Sequence, residues 1–179
     1  MNVVEPIKSK ETIRRLEEIL GRKERDLLLF VLGINTGLRI SDLLALNIED
    51  VKDRDFVDLV EQKTGKRKRF PLNNKIKALI RSYVSNKPDD DPLFSTIFKN
   101  RMERTYVYKM LKKACQNLGL EENIGTHTLR KTFGYHHYHQ FRDIVLLQKI
   151  FNHYSPSVTL RYIGIDQEEI DNSYINFVL

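Results

Sequence analysis

Between Ser9 and Gly21 the apolar residues Ile13, Leu16, Ile19 and Leu20 fall on one side of a 3.6-residue period. That pattern predicts an amphipathic helix, capped by Ser9 and ended by Gly21, after an extended lead-in over residues 1–8. A second helix is expected from about Lys23 to Thr36. Its middle, Leu27 to Leu32, is nearly all apolar, so most of its sides should be buried. Gly37 suits the left-handed position that closes a helix, and Ser41 or Asp42 is the expected cap of a short helix running through Leu46.

The period then changes. Phe56 to Val60 is rich in β-branched and aromatic residues, Thr64-Gly65 is a turn signal, and Lys66 to Leu72 reads as the returning strand of a hairpin. Asn73 or Asn74 should start a helix through about Ser85, and the Pro/Asp-rich stretch from Asn86 to Pro92 should be a surface loop before the short apolar return Leu93-Phe94. Thr105 to Leu118 carries Val107, Leu111, Ala114 and Leu118 on one stripe and stops at Gly119. Further helices are expected from Thr126 on, over Ile144 to Phe151, over Ser157 to Tyr162 and over Glu168 to Val178, with Asn152-His153-Tyr154-Ser155-Pro156 as a break. No repeat or interdomain linker is visible. The pattern predicts one mostly helical domain with a small antiparallel hairpin, an α+β fold.

The chain has 179 residues, 41% of them apolar, enough for a real core. Its formal net charge of +6 favours a polyanionic partner, nucleic acid first. The one cysteine, Cys115, sits in an apolar helical pattern and is expected in the core; a single cysteine fits a reducing cytoplasm. There is no signal-peptide pattern and no apolar run long enough to cross a bilayer.

Charge and chemistry concentrate in four places. Arg39, between apolar Leu38 and Ile40 at a helix junction, should be partly buried and so needs an anion: Asp42, Asp50 or another carboxylate, or a phosphate. Lys63, Lys66, Arg67, Lys68 and Arg69 make the hairpin basic, either a nucleic-acid finger or a solvated edge. Arg101, Arg104, Lys109, Lys112 and Lys113, with Lys99, form a second basic surface on and before the helix from Thr105, able to contact DNA. His127 and Arg130, three residues apart, share one face of a helix and could grip a phosphate, the guanidinium forking onto two oxygens and the imidazole donating a third bond. The run His136, His137 and His139 has no neighbouring cysteine or carboxylate to complete a four-ligand metal set, and is expected at the surface or facing DNA.

In chain order the sequence holds Arg39 in TGLRISDL, Lys63 ahead of Pro71-Leu72, His127-Thr-Leu-Arg130, His153 in NHYS and Tyr162 nine residues later. From about Ser9 to Tyr174 this resembles the tyrosine recombinase, or phage integrase, family. The resemblance implies the family's catalytic-domain fold and site-specific DNA recombination (integration, excision or inversion) without metal, ATP or cofactor. It implies that Tyr162 attacks a scissile phosphodiester to give a 3′-phosphotyrosine and a free 5′-hydroxyl. Arg39 and Arg130 would hold the nonbridging oxygens, Lys63 would protonate the leaving 5′-oxygen, His127 would assist proton transfer at the tyrosine, and His153 would hydrogen-bond a nonbridging oxygen. It further implies double-stranded DNA as partner, action in the cytoplasm at the nucleoid, and self-association on DNA into a tetramer at synapsis, the domain alone being a monomer.

The sequence departs from that family in two respects. Asn152 stands where the family usually has glycine before the histidine, and the chain starts at the catalytic domain, without the N-terminal helical domain most members carry, as expected either of a naturally short recombinase or of a fragment of a longer integrase. Residues 166–179 end apolar at Phe177-Val178-Leu179 and are expected to dock on a neighbouring subunit. A type IB topoisomerase-like relaxase shares the same residue set, and a DNA-binding regulator derived from a recombinase is the non-enzymatic alternative.

Overall fold

The computed structural model describes residues 4–120, 123–165 and 167–178. The element order is α1 (Lys10–Leu20), α2 (Glu24–Thr36), α3 (Ile40–Ala45), a short 3₁₀ turn (Ile48–Asp50), β1 (Phe56–Val60), β2 (Arg67–Pro71), α4 (Asn74–Val84), α5 (Arg104–Gln116), α6 (Thr128–Phe141), α7 (Ile144–Phe151), α8 (Pro156–Ile163) and α9 (Gln167–Asn176). This is the expected mainly helical fold with one antiparallel hairpin, paired from Phe56 opposite Pro71 to Val60 opposite Arg67.

Local chemistry accounts for most boundaries. The Ser9 hydroxyl accepts from the Thr12 N–H, Asn73 from Ile76, Asp143 from Leu146 and Ser155 from Val158, each satisfying an orphan donor of a first helical turn. Gly37 closes α2 in the left-handed region, at φ 60°. Asn152 closes α7 in the same conformation, at φ 53° and ψ 41°, which asparagine tolerates better than other residues with a side chain.

Two helix starts differ from the caps expected for them. The helix assigned to a Ser41 or Asp42 cap starts at Ile40, with Arg39 in the cap position and no side-chain cap bond. Asp42 is drawn inward instead, where its Oδ1 accepts from the Gln62 N–H at 2.9 Å. A long-range partner has outcompeted the local one. Likewise α6 starts at Thr128 rather than Thr126, and His127 is its N-cap residue.

The main core gathers α1 to α5, the hairpin and Leu129 of α6. At its centre lies α2, in which Leu28 to Leu32 are fully buried, as an apolar run on every side requires. α2 packs on α1, α4 and α6, and α6 carries the chain on to α7 and α8. There a second cluster forms around Leu147, Phe151, Ile163 and Ile165. The candidate site lies where these two clusters meet. Cys115 is buried in the main core, as expected.

Candidate active site

Arg130 is 2% exposed on the first turn of α6. Its Nη1 donates to the Gly37 carbonyl and its Nη2 to the Phe151 carbonyl at 2.8 Å, while the guanidinium stacks 4.2 Å from the Phe151 ring centroid. The side chain therefore bridges the end of α2 and the end of α7. Gly37 makes that approach feasible, because a Cβ there would meet the Phe133 ring at 2.5 Å.

Arg39 is partly buried and has found carboxylates. Its Nη1 lies 2.8 Å from Glu61 Oε1 and 3.9 Å from Asp42 Oδ2, both carboxylates being fully buried. The contact with Glu61 is an ion pair without a directed hydrogen bond. Of the carboxylates named from sequence, Asp42 is near and the principal partner is another one, Glu61. Glu61 is itself held on Oε2 by the Thr64 hydroxyl at 2.7 Å and the Asn152 amide at 3.0 Å. Burial pushes its carboxyl up, but Thr64, Arg39 and Asn152 together outweigh burial and leave it below the usual carboxylate value.

Tyr162 is in the last turn of α8, with its ring edge-on to Phe151 at 5.6 Å and His153 at 5.0 Å and beneath the Lys131 ammonium at 5.3 Å. Its hydroxyl is 3.4 Å from His127 Nδ1. Burial pushes the phenol up, and the charges of Arg130 and Arg39 oppose that only in part. His127 is pushed below its ordinary value by partial burial, then by Arg130, Lys131 and Lys63. His153 is lowered to about 4 by burial and by the same two arginines. Both imidazoles are thus neutral near pH 7. His153 Nδ1 pairs with the buried Thr159 hydroxyl at 3.0 Å.

The structure thus brings Arg39, His127, Arg130, His153 and Tyr162 into one site. Lys63 stands at its rim, exposed in the hairpin turn but close enough for its charge to act on His127. The residues on both sides of Lys63 are tied down, the Gln62 N–H to Asp42 and the Thr64 hydroxyl to Glu61.

The basic residues divide. Lys66, Arg67, Arg69, Arg104, Lys109, Lys112 and Lys113 are exposed, with Arg69 stacked 4.2 Å over Phe56. Lys68 turns inward, its Nζ donating to the Ile150 carbonyl at 3.1 Å, whereas Arg101 stays exposed but is tied down, donating to the carbonyls of Leu44 and Leu46 and to Asn47. Burial and the charges of Arg130 and Arg39 lower Lys68 to about 8, with Glu61 and Asp42 pulling the other way. Of the histidine run, His136 hydrogen-bonds the Ile7 carbonyl at 2.9 Å, His137 packs between the rings of Phe133 and Phe141, and His139 packs on Tyr135. Among the described residues no group of three or more His, Cys, Asp or Glu is placed to hold a metal.

Sequence reading missed Glu61, Thr159, Lys131 and the inward turn of Lys68. One signal was available: the alternation of β1 points Val57 and Leu59 inward, and one more step of two places Glu61 on that face.

Comparison with known proteins bears on the family and the fold. The chain is 42% identical over 176 residues to "Probable integrase/recombinase YoeC" of Bacillus subtilis, covering 97% of each chain. It superposes on the crystal structure of XerA recombinase with a TM-score of 0.79 at 21% identity, covering 96% of this chain and 63% of that one. It superposes on XerH site-specific recombinase, a post-cleavage complex with palindromic difH substrate, with a TM-score of 0.70 at 21% identity over 97% of this chain and 53% of that one. It spans between 51% and 65% of the length of seven further curated tyrosine recombinases. The Phage integrase family pattern matches residues 8–169, and the chain belongs to that family.

Proposed function

We propose that this domain carries out site-specific DNA recombination, cleaving and rejoining strands through a covalent 3′-phosphotyrosine at Tyr162. The observation that carries this reading is the convergence, within one chain, of the Tyr162 hydroxyl with His127, Arg130, Arg39 and His153. A buried phenol with a raised pKa needs a base to lose its proton, and His127, neutral and in reach, supplies one. The Tyr162 oxygen attacks phosphorus, the bond to the 5′-oxygen breaks, and Lys63 gives that oxygen its proton. Arg39 and Arg130 hold the negative charge that grows on the nonbridging oxygens, and His153 adds a hydrogen bond. The reverse attack by a 5′-hydroxyl reseals the strand, so the bond energy is conserved in the phosphotyrosine ester. Removing one donor to the transition-state charge typically costs roughly 10²–10³ in rate.

The exposed basic residues of the hairpin and α5 supply sequence-independent phosphate contacts. Tyr174, Ile175, Phe177 and Val178 at the C-terminal end are 70–87% exposed, an apolar surface suited to a second copy of this chain. Subunits then assemble on DNA, as a tetramer when two sites are paired. No helix of the described residues is long and apolar enough to cross a membrane, and the reaction belongs at the nucleoid in the cytoplasm.

The test is a suicide DNA duplex, nicked beside the crossover so that cleavage cannot reverse, incubated with chelator. The unaltered protein should give a denaturation-resistant protein–DNA band, and Tyr162→Phe should bind DNA but give none. A band that survives in Tyr162→Phe moves the nucleophile elsewhere. Absence of a band for both favours a DNA-binding regulator.

A further inference from the structure

Three parts of the proposed site come from distant stretches of chain: Arg39 before α3, Lys63 in the hairpin turn and His153 in the loop after α7. One side chain touches the support of all three. Glu61 is fully buried, and its two oxygens divide the work. Oε1 faces Arg39 Nη1 at 2.8 Å. Oε2 accepts from the Thr64 hydroxyl at 2.7 Å, next to Lys63, and from the Asn152 amide at 3.0 Å, next to His153. The backbone of the turn closes on the same residue, Gly65 N–H donating to the Glu61 carbonyl at 2.8 Å.

We propose that Glu61 is a positioning residue for strand cleavage, a buried carboxylate that ties Arg39, the turn bearing Lys63 and the loop bearing His153 into one unit. The proposal rests on the strand-cleavage reading above. It also gives a reason for the asparagine at 152. Glycine would take the left-handed backbone there as readily, but only asparagine can both adopt it and reach Glu61 with an amide. Glu61 and Asn152 therefore form a matched pair in this chain. A neutral side chain at 61 could keep the hydrogen bond from Thr64 but would leave the Arg39 charge with Asp42 alone at 3.9 Å, and a buried guanidinium without a close anion shifts to find one.

The pair is tested with Glu61→Gln, which keeps the size and removes the charge, and Asn152→Gly, which keeps the backbone conformation and removes the tether. Each is measured for covalent complex formation in a single turnover at saturating suicide duplex, for DNA affinity, and for thermal melting. Glu61→Gln is expected to slow covalent attachment by about tenfold or more, the scale on which small displacements of positioned groups are felt. DNA affinity should stay within about twofold, and the double variant should be no more than about twofold slower than Glu61→Gln, because coupled sites do not add. A lowered melting temperature with an unchanged rate would make Glu61 merely structural. Faster attachment or tighter DNA binding would make it a competitor for the phosphate. Independent, multiplying losses would separate Glu61 from Asn152. Each of those outcomes overturns the proposal while leaving strand cleavage intact, whereas no covalent complex with the unaltered protein overturns both. Should Glu61→Gln fail to fold, Asn152→Gly and Thr64→Val decide the matter, each expected to slow attachment with DNA affinity preserved.

Discussion

His153 Nδ1 stands 3.0 Å from the hydroxyl of Thr159, a residue with no exposed surface on the first half of α8. The Thr159 oxygen also lies 3.3 Å from the Ser155 carbonyl. Two proton arrangements fit. In the one useful to phosphate binding, the Thr159 O–H points into Nδ1 and fixes the proton of the neutral ring on Nε2, where it can be donated. Thr159→Val removes the hydroxyl and keeps the shape. The expected result is covalent attachment slowed by about tenfold at saturating DNA, in line with the effect of losing a partner that orients a functional histidine. Thr159→Ser should restore most of the rate. Equal rates for Val and Ser variants would show that the hydroxyl does not set the tautomer.

A second relationship bears on pH. His127 is held below its ordinary value of 6.5 and Tyr162 above its ordinary 10, so near neutrality the pair is a free base beside a protonated phenol. As pH falls, His127 takes up a proton and the base is lost. The single-turnover rate should therefore fall on the acid side of pH 6.5 and hold near neutrality. In His127→Gln the neutral plateau should drop by about 10² or more, the usual contribution of a positioned base, and the acid limb should move away from neutral pH. An unchanged plateau in that variant would remove His127 from the proton path.

The contrast between what the sequence disclosed and what it hid follows from the range of the forces involved. The apolar run of α2, the Ser9 and Asn73 caps and the Phe56–Val60 strand depend on neighbours in sequence, and these elements formed where the pattern placed them. The order of Arg39, Lys63, His127, Arg130, His153 and Tyr162 was equally legible. Their supports were not. Asp42 left its expected capping role for the N–H of Gln62, twenty positions on. Glu61 and Asn152 meet across 91 positions, and Lys68 turns from the basic surface to a carbonyl 82 positions away. No local period encodes such pairings; only the packed fold brings them together.

Close packing sets the position of Tyr162 as well. A Cβ on Gly134 of α6 would lie 2.6 Å from Ile163 Cγ2 and 2.8 Å from the Phe151 ring. Ile163 follows Tyr162 in α8, and Phe151 carries the carbonyl that receives Arg130. Gly134→Ala is expected to destabilise the protein by about 1–3 kcal/mol, the usual range for overpacking a core. It should also lower attachment by pushing α8 away from α6, despite the better helix propensity of alanine. A variant with raised melting temperature and normal attachment would show that α8 accommodates the methyl group.

Lys68 supplies a prediction about stability alone. Its ammonium is largely enclosed between the hairpin and α7, faces Arg130 and Arg39 as well as Glu61 and Asp42, and is lowered from 10.5 to about 8 by burial first and then by Arg130. In the unfolded chain the amine keeps its proton up to pH 10.5; in the folded protein it gives the proton up near pH 8. Between those values the unfolded state binds more protons, so this group makes stability rise with pH there; below pH 8 its full penalty applies. The ceiling on that penalty is about 3.5 kcal/mol, at roughly 1.4 kcal/mol per pKa unit over the fall from 10.5 to about 8. Lys68→Met keeps the stem and removes the charge. It should therefore be more stable than the unaltered protein at pH 7, with the difference shrinking as pH rises from 8 towards 10.5. Urea melts at pH 7 and pH 9.5 give both values, and a variant less stable at pH 7 would mean that the bond to the Ile150 carbonyl is worth more than the buried charge costs.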